Sequence, residues 1–500
     1  MFDIDNVPLD DKDTYIMLSA GLTKGVFQLE SHLCKTWCKK IKPRNIDDLA
    51  MLVSLVRPGA LNQADKLLRV RNLEEDPSYI DSRLEPILKK TYSIILYQEQ
   101  TIKIAQDLAG FSEQEGDVLR KAIGKKDQDK LFSLEKDFVN GCMKNAIKQE
   151  DAEEMFSIIK ASASYSFNAS HAYSYAINAY RSAYLKCHYP TVFFWSALRC
   201  AKHKQRPLDE ICEVFYDMED FGVKLVPPSL SEMNVDFEVK DAKTILFGFS
   251  SIKGMGEAGV KSLRKISECE DWSSALRDIF SRKISKSKVE PAIKSGTMDH
   301  LGCSRAYMLV TYELVKSLTA KQLELFVEEW DGELEYICDF IESIPDKNKR
   351  LRISDATKEC IKSVENIGSK DYNITKEVWE RKYLGVNLTS TRIDDISDED
   401  IDADCSSVKN MAAGSACVCG VLESVNKIKT RKDNKEMAFI EISDLGTKLT
   451  NIVVFPRQFN RIYYEQFLLR NPENELLKIW GDKKGESFIV SKITRISGNE

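Results

Sequence analysis

The 500-residue sequence has no apolar run near the ~20 residues that a membrane-spanning helix requires; the longest candidate, Phe193 to Leu198, is far too short. It has no Cys-x-x-Cys pair and no His/Cys cluster at zinc spacing, so its 13 cysteines, an odd number, predict reduced thiols in a cytosolic compartment and not a disulfide framework. Phe-Asp-Ile-Asp after Met1 lacks the basic flank and apolar core of a secretory signal. Positive charge is not in excess: 72 Lys and Arg against 78 Asp and Glu leave a net charge of −6. That balance excludes a globally basic nucleic-acid binder but leaves room for a local basic groove, because binding depends on the patch and not on the sum. What is present, 43% hydrophobic and 30% charged residues, describes ordinary folded domains, and the length implies about three of them.

The first part of the chain reads as helical. Ile46, Leu49, Leu52, Val53 and Val56 recur at helical spacing before a turn at Arg57-Pro58-Gly59. A second helix is expected from Gln98 to Ala109, stopping at Gly110, and a third from a Ser112/Glu115 capping box to Gly124. The apolar face of the third is Val118, Leu119, Ala122 and Ile123. Further helices are expected over Ala152 to Lys160 and Ala172 to Cys187. Pro227-Pro228 marks a boundary. Beyond it, a strand signal at Thr244 to Phe249 leads into Ser251-Ile252-Lys253-Gly254-Met255-Gly256-Glu257 and an apolar helix, the pattern of a helix-hairpin-helix, with a weaker partner near Ile293 to Arg305. The aspartate-dense stretch Ile393 to Asp404 reads as a solvated linker; a calcium loop would need a central glycine and a terminal glutamate. From Ala416 the period becomes two: Val418, Gly420, Leu422; Ala438, Ile440, Ile442; Ile452, Val454, Pro456. Turns at Asp433-Asn434 and Leu445-Gly446 separate several short strands, which suit a small barrel of the OB type.

Several residue groups could carry chemistry, and each has a plainer explanation. Asp3 and Asp5 have the spacing of a two-metal carboxylate pair, with Asp10, Asp11 and Asp13 close behind; a solvated terminus with a helix cap at Asp10 or Asp11 explains them as well. Tyr165 to His171 precedes a helix bearing Tyr173, Tyr175 and Tyr180. A helix start can bind phosphate through free N–H groups and an aromatic on the next turn can stack on a base, or the segment is a capped helix with a tyrosine-lined core face. Arg120, Lys121, Lys125 and Lys126 suit either phosphates or the dipole of a helix C-terminus. The glycines Gly254 and Gly256 let amides approach a duplex backbone, or make a tight turn. Gln322-Leu323-Glu324-Leu325-Phe326 could drop apolar anchors into a partner's groove, or pack Leu323 and Phe326 inward. Lys427, Lys429, Arg431, Lys432 and Lys435 crowd the first hairpin of the expected barrel, where they could bind a single strand or protect an edge.

Taken in order, these segments resemble one family, the bacterial C-family replicative DNA polymerases typified by the DNA polymerase III alpha subunit. Ile4 to Lys12, Gly25 to Ser31, Arg57 to Ala60, Ile95 to Gln100 and Leu119 to Lys126 are similar to its fingers. Tyr165 to Ala176, then Ala183 to Lys186 and Tyr189-Pro190, resemble the segment that closes over an incoming nucleotide. Phe247 to Glu257 resembles its helix-hairpin-helix, Gln322 to Phe326 its sliding-clamp motif, and Tyr383-Leu384-Gly385 with the final barrel completes the order. Ser166 and Ala169 stand where glycine and lysine are usual, so the phosphate clamp implied there is without its lysine.

The resemblance implies an α+β multidomain fold: helical fingers (residues 1–205), a helix-hairpin-helix and clamp-binding domain (206–345), a linker region (346–410) and an OB-type β-barrel (411–498). It implies template-directed DNA synthesis by a split enzyme, in which a partner chain carrying palm and PHP domains supplies the catalytic aspartates and holds Mg2+. On this chain, Arg57, Arg120, Lys121, Lys125, Asn168, Ser170, His171 and Tyr175 would meet nucleotide and primer-template. Lys253, Gly254 and Gly256 would grip the duplex backbone, while Gln322, Leu323, Leu325 and Phe326 would bind the clamp. Lys427, Lys429, Arg431 and Lys432 would bind single-stranded DNA. The expected location is the cytoplasm, with a bacteriophage as one source. A non-catalytic adaptor binding DNA and clamp is the alternative.

Overall fold

The computed structural model describes residues 3–57, 60–125, 127–162, 165–330, 333–367, 373–389, 401, 403–430, 433–444, 447–459 and 476–495. Pro58-Gly59, Lys126, Arg431, Lys432, Leu445-Gly446 and most of the aspartate-dense stretch lie outside these residues. The chain divides into two compact units, Met1–Phe193 and Phe194–Glu500.

The first unit is helical. It is built from α1 (Lys12–Ser19), α2 (Ile46–Leu55), α3 (Gln98–Ala109), α4 (Glu113–Lys125), α5 (Gln128–Lys144), α6 (Gln149–Ser162) and α7 (Ala169–His188), with the helices His32–Ile41 and Ala64–Arg71 and shorter helical turns between them. Local chemistry sets the ends. Gly110 closes α3 in the left-handed conformation at φ 70°. Ser112 and Glu115 exchange the two bonds of a capping box at the start of α4, Ser112 N to Glu115 Oε2 at 2.7 Å and Glu115 N to Ser112 Oγ at 3.3 Å. Leu119, Ala122 and Ile123 of α4 are buried in a core shared with α3, α5 and α6. Val118, expected on that face, is 48% exposed, since it points away from α3 while Gly116 lies against Ile102. In α7, Ala172, Ala176, Ala179, Tyr180 and Ala183 recur at intervals of three and four and are all buried. Small side chains along this face let α7 pack closely on α2.

In the second unit, after the helix Pro207–Glu219, comes a three-stranded sheet of β1 (Lys224–Val226), β2 (Glu238–Asp241) and β3 (Thr244–Leu246), in which β3 pairs parallel to β1 and antiparallel to β2. Helices follow: α8 (Gly256–Leu263), α9 (Trp272–Ser281), α10 (Lys286–Lys294), α11 (Arg305–Lys316), α12 (Ala320–Glu329) and α13 (Asn373–Leu384), among others. The C-terminal five strands are β4 (Ala413–Lys429), β5 (Glu436–Ser443), β6 (Lys448–Val454), β7 (Leu476–Lys484) and β8 (Ser487–Arg495). They pair in the order β4-β5-β6-β8-β7, and β7 returns to β4, so the sheet closes on itself. All pairings are antiparallel except β6 with β8.

The alternation expected from the sequence holds: Val418, Leu422, Ala438, Ile440, Ile442, Ile452 and Val454 share one interior. Two details differ. β4 spans 17 residues, long enough to pair with β7 along one half and β5 along the other. Pro456, which cannot donate to a ladder, starts the short helix Pro456–Phe459 and does not extend β6.

Candidate functional site

In the first unit, two distant sequence segments are zipped together. Tyr97 forms a parallel bridge with Phe167; Gln98 N donates to Phe167 O and Phe167 N to Leu96 O, each at 2.9 Å. This places the start of α3 beside the start of α7. Arg120 on α4 reaches across, its guanidinium donating to Gln98 Oε1 at 3.2 Å and to Asp117 Oδ1 at 2.8 Å. Lys121 pairs with the other oxygen of Asp117 at 2.7 Å, and these two cations hold the Asp117 carboxyl below its usual value. Arg120, Lys121, Lys125, Gln98 and Ser166 line a cleft of about 230 Å³. Three of the expected phosphate-binding residues thus meet in one concavity, with Asp117 neutralising part of their charge.

Beside the cleft runs a row of rings. The Arg57 guanidinium lies 3.8 Å from the Phe167 ring centre; Phe167 meets His171 edge-on at 5.2 Å; His171 lies 4.2 Å from Tyr175, and Tyr175 5.3 Å from Phe27. Arg57 also donates to Ser54 O at 3.2 Å, and burial lowers its basicity. The sequence placed Arg57, His171 and Tyr175 in a binding role. It missed Phe167 and Phe27, whose signal was only that an aromatic fell within each motif.

The start of α7 is not an open anion site. Asn168 is its cap, accepting from His171 N at 2.8 Å, while the Glu99 carboxylate accepts from Ala169 N at 2.9 Å and Asn168 Nδ2 at 2.7 Å. A resident carboxylate therefore occupies the place a phosphate would take, which corrects the expectation of free amides there. Asn168, Ser170 and His171 nevertheless have exposed side chains at the edge of the ring row.

The acidic opening does not fit a two-ion site. Asp3 caps a short helical turn, its Oδ1 accepting from Asp5 N at 3.0 Å, and Asp5 pairs with Arg181 at 2.8 Å. Asp11 caps α1 through Thr14 N at 2.9 Å.

In the second unit the glycine hairpin forms as expected, with Gly254 and Gly256 at φ 84° and 57°. Ile252 and Met255 anchor it in the core and leave Lys253 exposed. Lys288 of α10 donates to Gly254 O at 2.9 Å and Met255 O at 3.2 Å, clasping the turn from behind. Lys253 N is bonded to Tyr383 O at 2.9 Å, so the hairpin and the Tyr383-Leu384-Gly385 segment meet. The first amides of α8 have no partner within their helix and carry its positive dipole end. In the partner hairpin Gly296, at φ 81°, lies where a Cβ would fall 2.3 Å from Arg305 Nη2.

The anchor pentad is placed differently from the groove-insertion expectation. Gln322 is the N3 residue of α12, accepting from Thr319 N at 2.9 Å and donating to Arg352 O at 3.1 Å, and it is buried. Phe326 is fully buried, stacked on Trp330 with ring centres 5.8 Å apart. As folded, these two belong to the chain's own interior, because a capping box and an aromatic cluster both draw them inward; Leu323 and Leu325 are half-buried.

Lys427 and Lys429 are exposed on β4, Lys427 Nζ lying 6.0 Å from the Phe459 ring, while Arg431 and Lys432 fall outside the described residues. Sequence reasoning missed Trp480 on β7, half-buried between Lys478 and Lys492 at 4.8 and 4.3 Å. Among the described residues no helix is long and apolar enough to cross a membrane.

Comparison with known proteins agrees with this geometry. Residues 1–146 match the family described as bacterial DNA polymerase III alpha subunit finger domain, and residues 222–308 a helix-hairpin-helix motif. The DNA polymerase III subunit alpha of Aquifex aeolicus is 36% identical over 338 residues, covering 65% of this chain and 29% of the relative. That of Buchnera aphidicola is 31% identical over 474 residues, covering 91% and 39%. That of Borreliella burgdorferi is 28% identical over 518 residues, covering 99% and 42%. The chain thus spans 29–42% of the length of these three curated relatives. Its finger domain, its helix-hairpin-helix and this similarity make the chain a homologue of part of the bacterial DNA polymerase III alpha subunit.

Proposed function

We propose that this chain serves template-directed DNA synthesis as the fingers, duplex grip and single-strand module of a replicative polymerase. The metal-binding palm would sit on a separate polypeptide, which also carries the PHP domain. The observation that carries this reading is the cationic cleft of Arg120, Lys121 and Lys125 set beside the ring row from Arg57 to Phe27. The cleft supplies charge for triphosphate or template backbone, and the rings supply stacking for bases. Asn168, Ser170, His171 and Tyr175 would line the nascent base pair.

The Gly254/Gly256 turn and Lys253 would hold duplex backbone. The closed five-stranded sheet, read as an OB-type barrel, would hold single-stranded DNA through Lys427, Lys429, Arg431 and Lys432. Mg2+ would be bound by carboxylates of the palm chain, and the site of action would be the cytoplasm. The domain limits at residues 205, 345 and 410 belong to the same reading. Contact with a sliding clamp would use the half-buried Leu323 and Leu325, with Gln322 and Phe326 joining only if α12 leaves its place.

Primer extension with the palm-bearing chain tests the reading. Activity should need both chains and should fall with Arg120→Ala; unchanged incorporation kinetics would remove Arg120 from the pocket. The Glu99 carboxylate on the first amide of α7 favours a second reading, a DNA- and clamp-binding adaptor without synthesis. Incoming nucleotide should bind the primer-template complex under the first reading and not under the second.

A further inference from the structure

We propose that Asp11, Cys187 and His188 form a site for a zinc-type divalent cation that staples the end of α7 to the start of α1. A carboxylate oxygen, a thiol sulfur and a ring nitrogen from these residues all lie within 4.8 Å of one another. Zinc bonds of about 2.0–2.3 Å in tetrahedral geometry place ligand atoms roughly 3.3–3.6 Å apart. His188 Nε2 and Asp11 Oδ2 are 2.8 Å apart, so this pair opens slightly while the sulfur closes in. Shifts of about one ångström suffice. Thiolate, imidazole and carboxylate form a borderline-soft donor set, which suits zinc and not magnesium or calcium, whose sites are built from oxygen.

The ligands are oriented before any ion arrives. Asp11 Oδ2 accepts from Thr14 N at 2.9 Å and Thr14 Oγ1 at 2.6 Å, which fixes the carboxylate beside His188. Asp11 N donates to Tyr180 Oη at 3.1 Å, and that hydroxyl donates to Pro8 O at 2.6 Å. The His188 ring lies 4.4 Å from the Tyr184 ring. Outer groups of this kind set ligand orientation in metal sites. His188 is exposed and the other two are half-buried, so an ion has a path in and water can complete the shell. Binding exchanges the Cys187 thiol proton for the metal, releasing that proton to solvent.

Cobalt(II), titrated into the metal-stripped full chain, is the probe. The expected result is a sulfur-to-cobalt charge-transfer band with tetrahedral visible bands, saturating at a single equivalent, reversed by zinc and lost in Cys187→Ser. His188→Gln, a change at an exposed position, should keep the circular dichroism spectrum and weaken cobalt binding by about tenfold or more. Absence of the band would reduce the cluster to a hydrogen-bonded His–Asp pair. A band that survives both substitutions would place the ion on other cysteines. Either result overturns the proposal.

Discussion

Arg305 and Glu380 meet at 2.8 Å with side chains 1% and 0% exposed, a charge pair sealed inside the second unit. Asp299 takes the same guanidinium at 2.7 Å, and the second Glu380 oxygen accepts from Leu388 N at 2.7 Å and Thr389 N at 3.1 Å. The pair joins the weaker hairpin, through α11, to the segment following α13. Removing Arg305 leaves the Glu380 carboxylate buried without its counter-charge, which costs about 3–5 kcal/mol, whereas replacing both by apolar groups is far milder. Arg305→Met should therefore lower thermal stability sharply, and Arg305→Met with Glu380→Leu should recover much of it. A double variant as unstable as the single one would refute this account.

Gly141 on α5 sits against the carbonyl of Ala109, where a Cβ would lie 2.1 Å from the oxygen. Neither backbone can retreat without disturbing the core of α3 and α5. Gly141→Ala is expected to destabilise the first unit by about 1–3 kcal/mol, read by urea unfolding. Gly124, with open space around it, is the control: Gly124→Ala should be neutral or stabilising.

Phe167 meets both the Arg57 guanidinium and the His171 ring. If the ring row stacks on bases, Phe167→Ala should weaken single-stranded DNA binding by about 1–3 kcal/mol in fluorescence anisotropy. Phe167→Tyr keeps a π-face and should bind as wild type. Equal loss in both variants would point to structural damage.

Lys253 projects from the hairpin while Lys288 is spent on the turn carbonyls. Lys253→Ala is expected to weaken duplex binding uniformly across sequences and to reduce the salt-dependence slope by about one. An unchanged slope would remove Lys253 from the backbone contact.

Acid should unfold the protein through its paired carboxylates. Arg83 grips Asp81 through Nε at 2.7 Å and Nη2 at 2.8 Å, and this holds the Asp81 carboxyl below its usual value. Hydrogen bonds from Ser407 lower Asp404 in the same way, and Lys294 lowers Glu290. A carboxylate depressed in the fold contributes stability above its unfolded value and loses it as pH falls through the folded one. The melting temperature should therefore drop as pH falls below about 4. The gap between wild type and Asp81→Asn should narrow over that range; a constant gap would exclude Asp81 as a contributor.

Local elements were legible in the sequence because local chemistry makes them. The Ser112/Glu115 box, the stop at Gly110, the left-handed glycines of the hairpin and the period-two strands each depend on residues within a few positions. The interior alternation of Val418, Leu422, Ala438 and Ile440 needed no knowledge of strand order, since successive side chains of a pleated strand point to opposite faces. Family resemblance was legible for the same reason: collinear short motifs survive as strings.

Which groups face one another was decided by the tertiary structure. Glu99 takes the first amide of α7 because the bridge between Tyr97 and Phe167 brings it there, 70 positions from Ala169 in sequence. Gln322 and Phe326 turned inward because Arg352, Trp330 and Phe340 waited for them. Asp11 meets His188 across 177 positions, so no spacing rule could have found the pair. Periodicity reports which face of an element is apolar; only packing decides which charge, ring or thiol from elsewhere meets the other face.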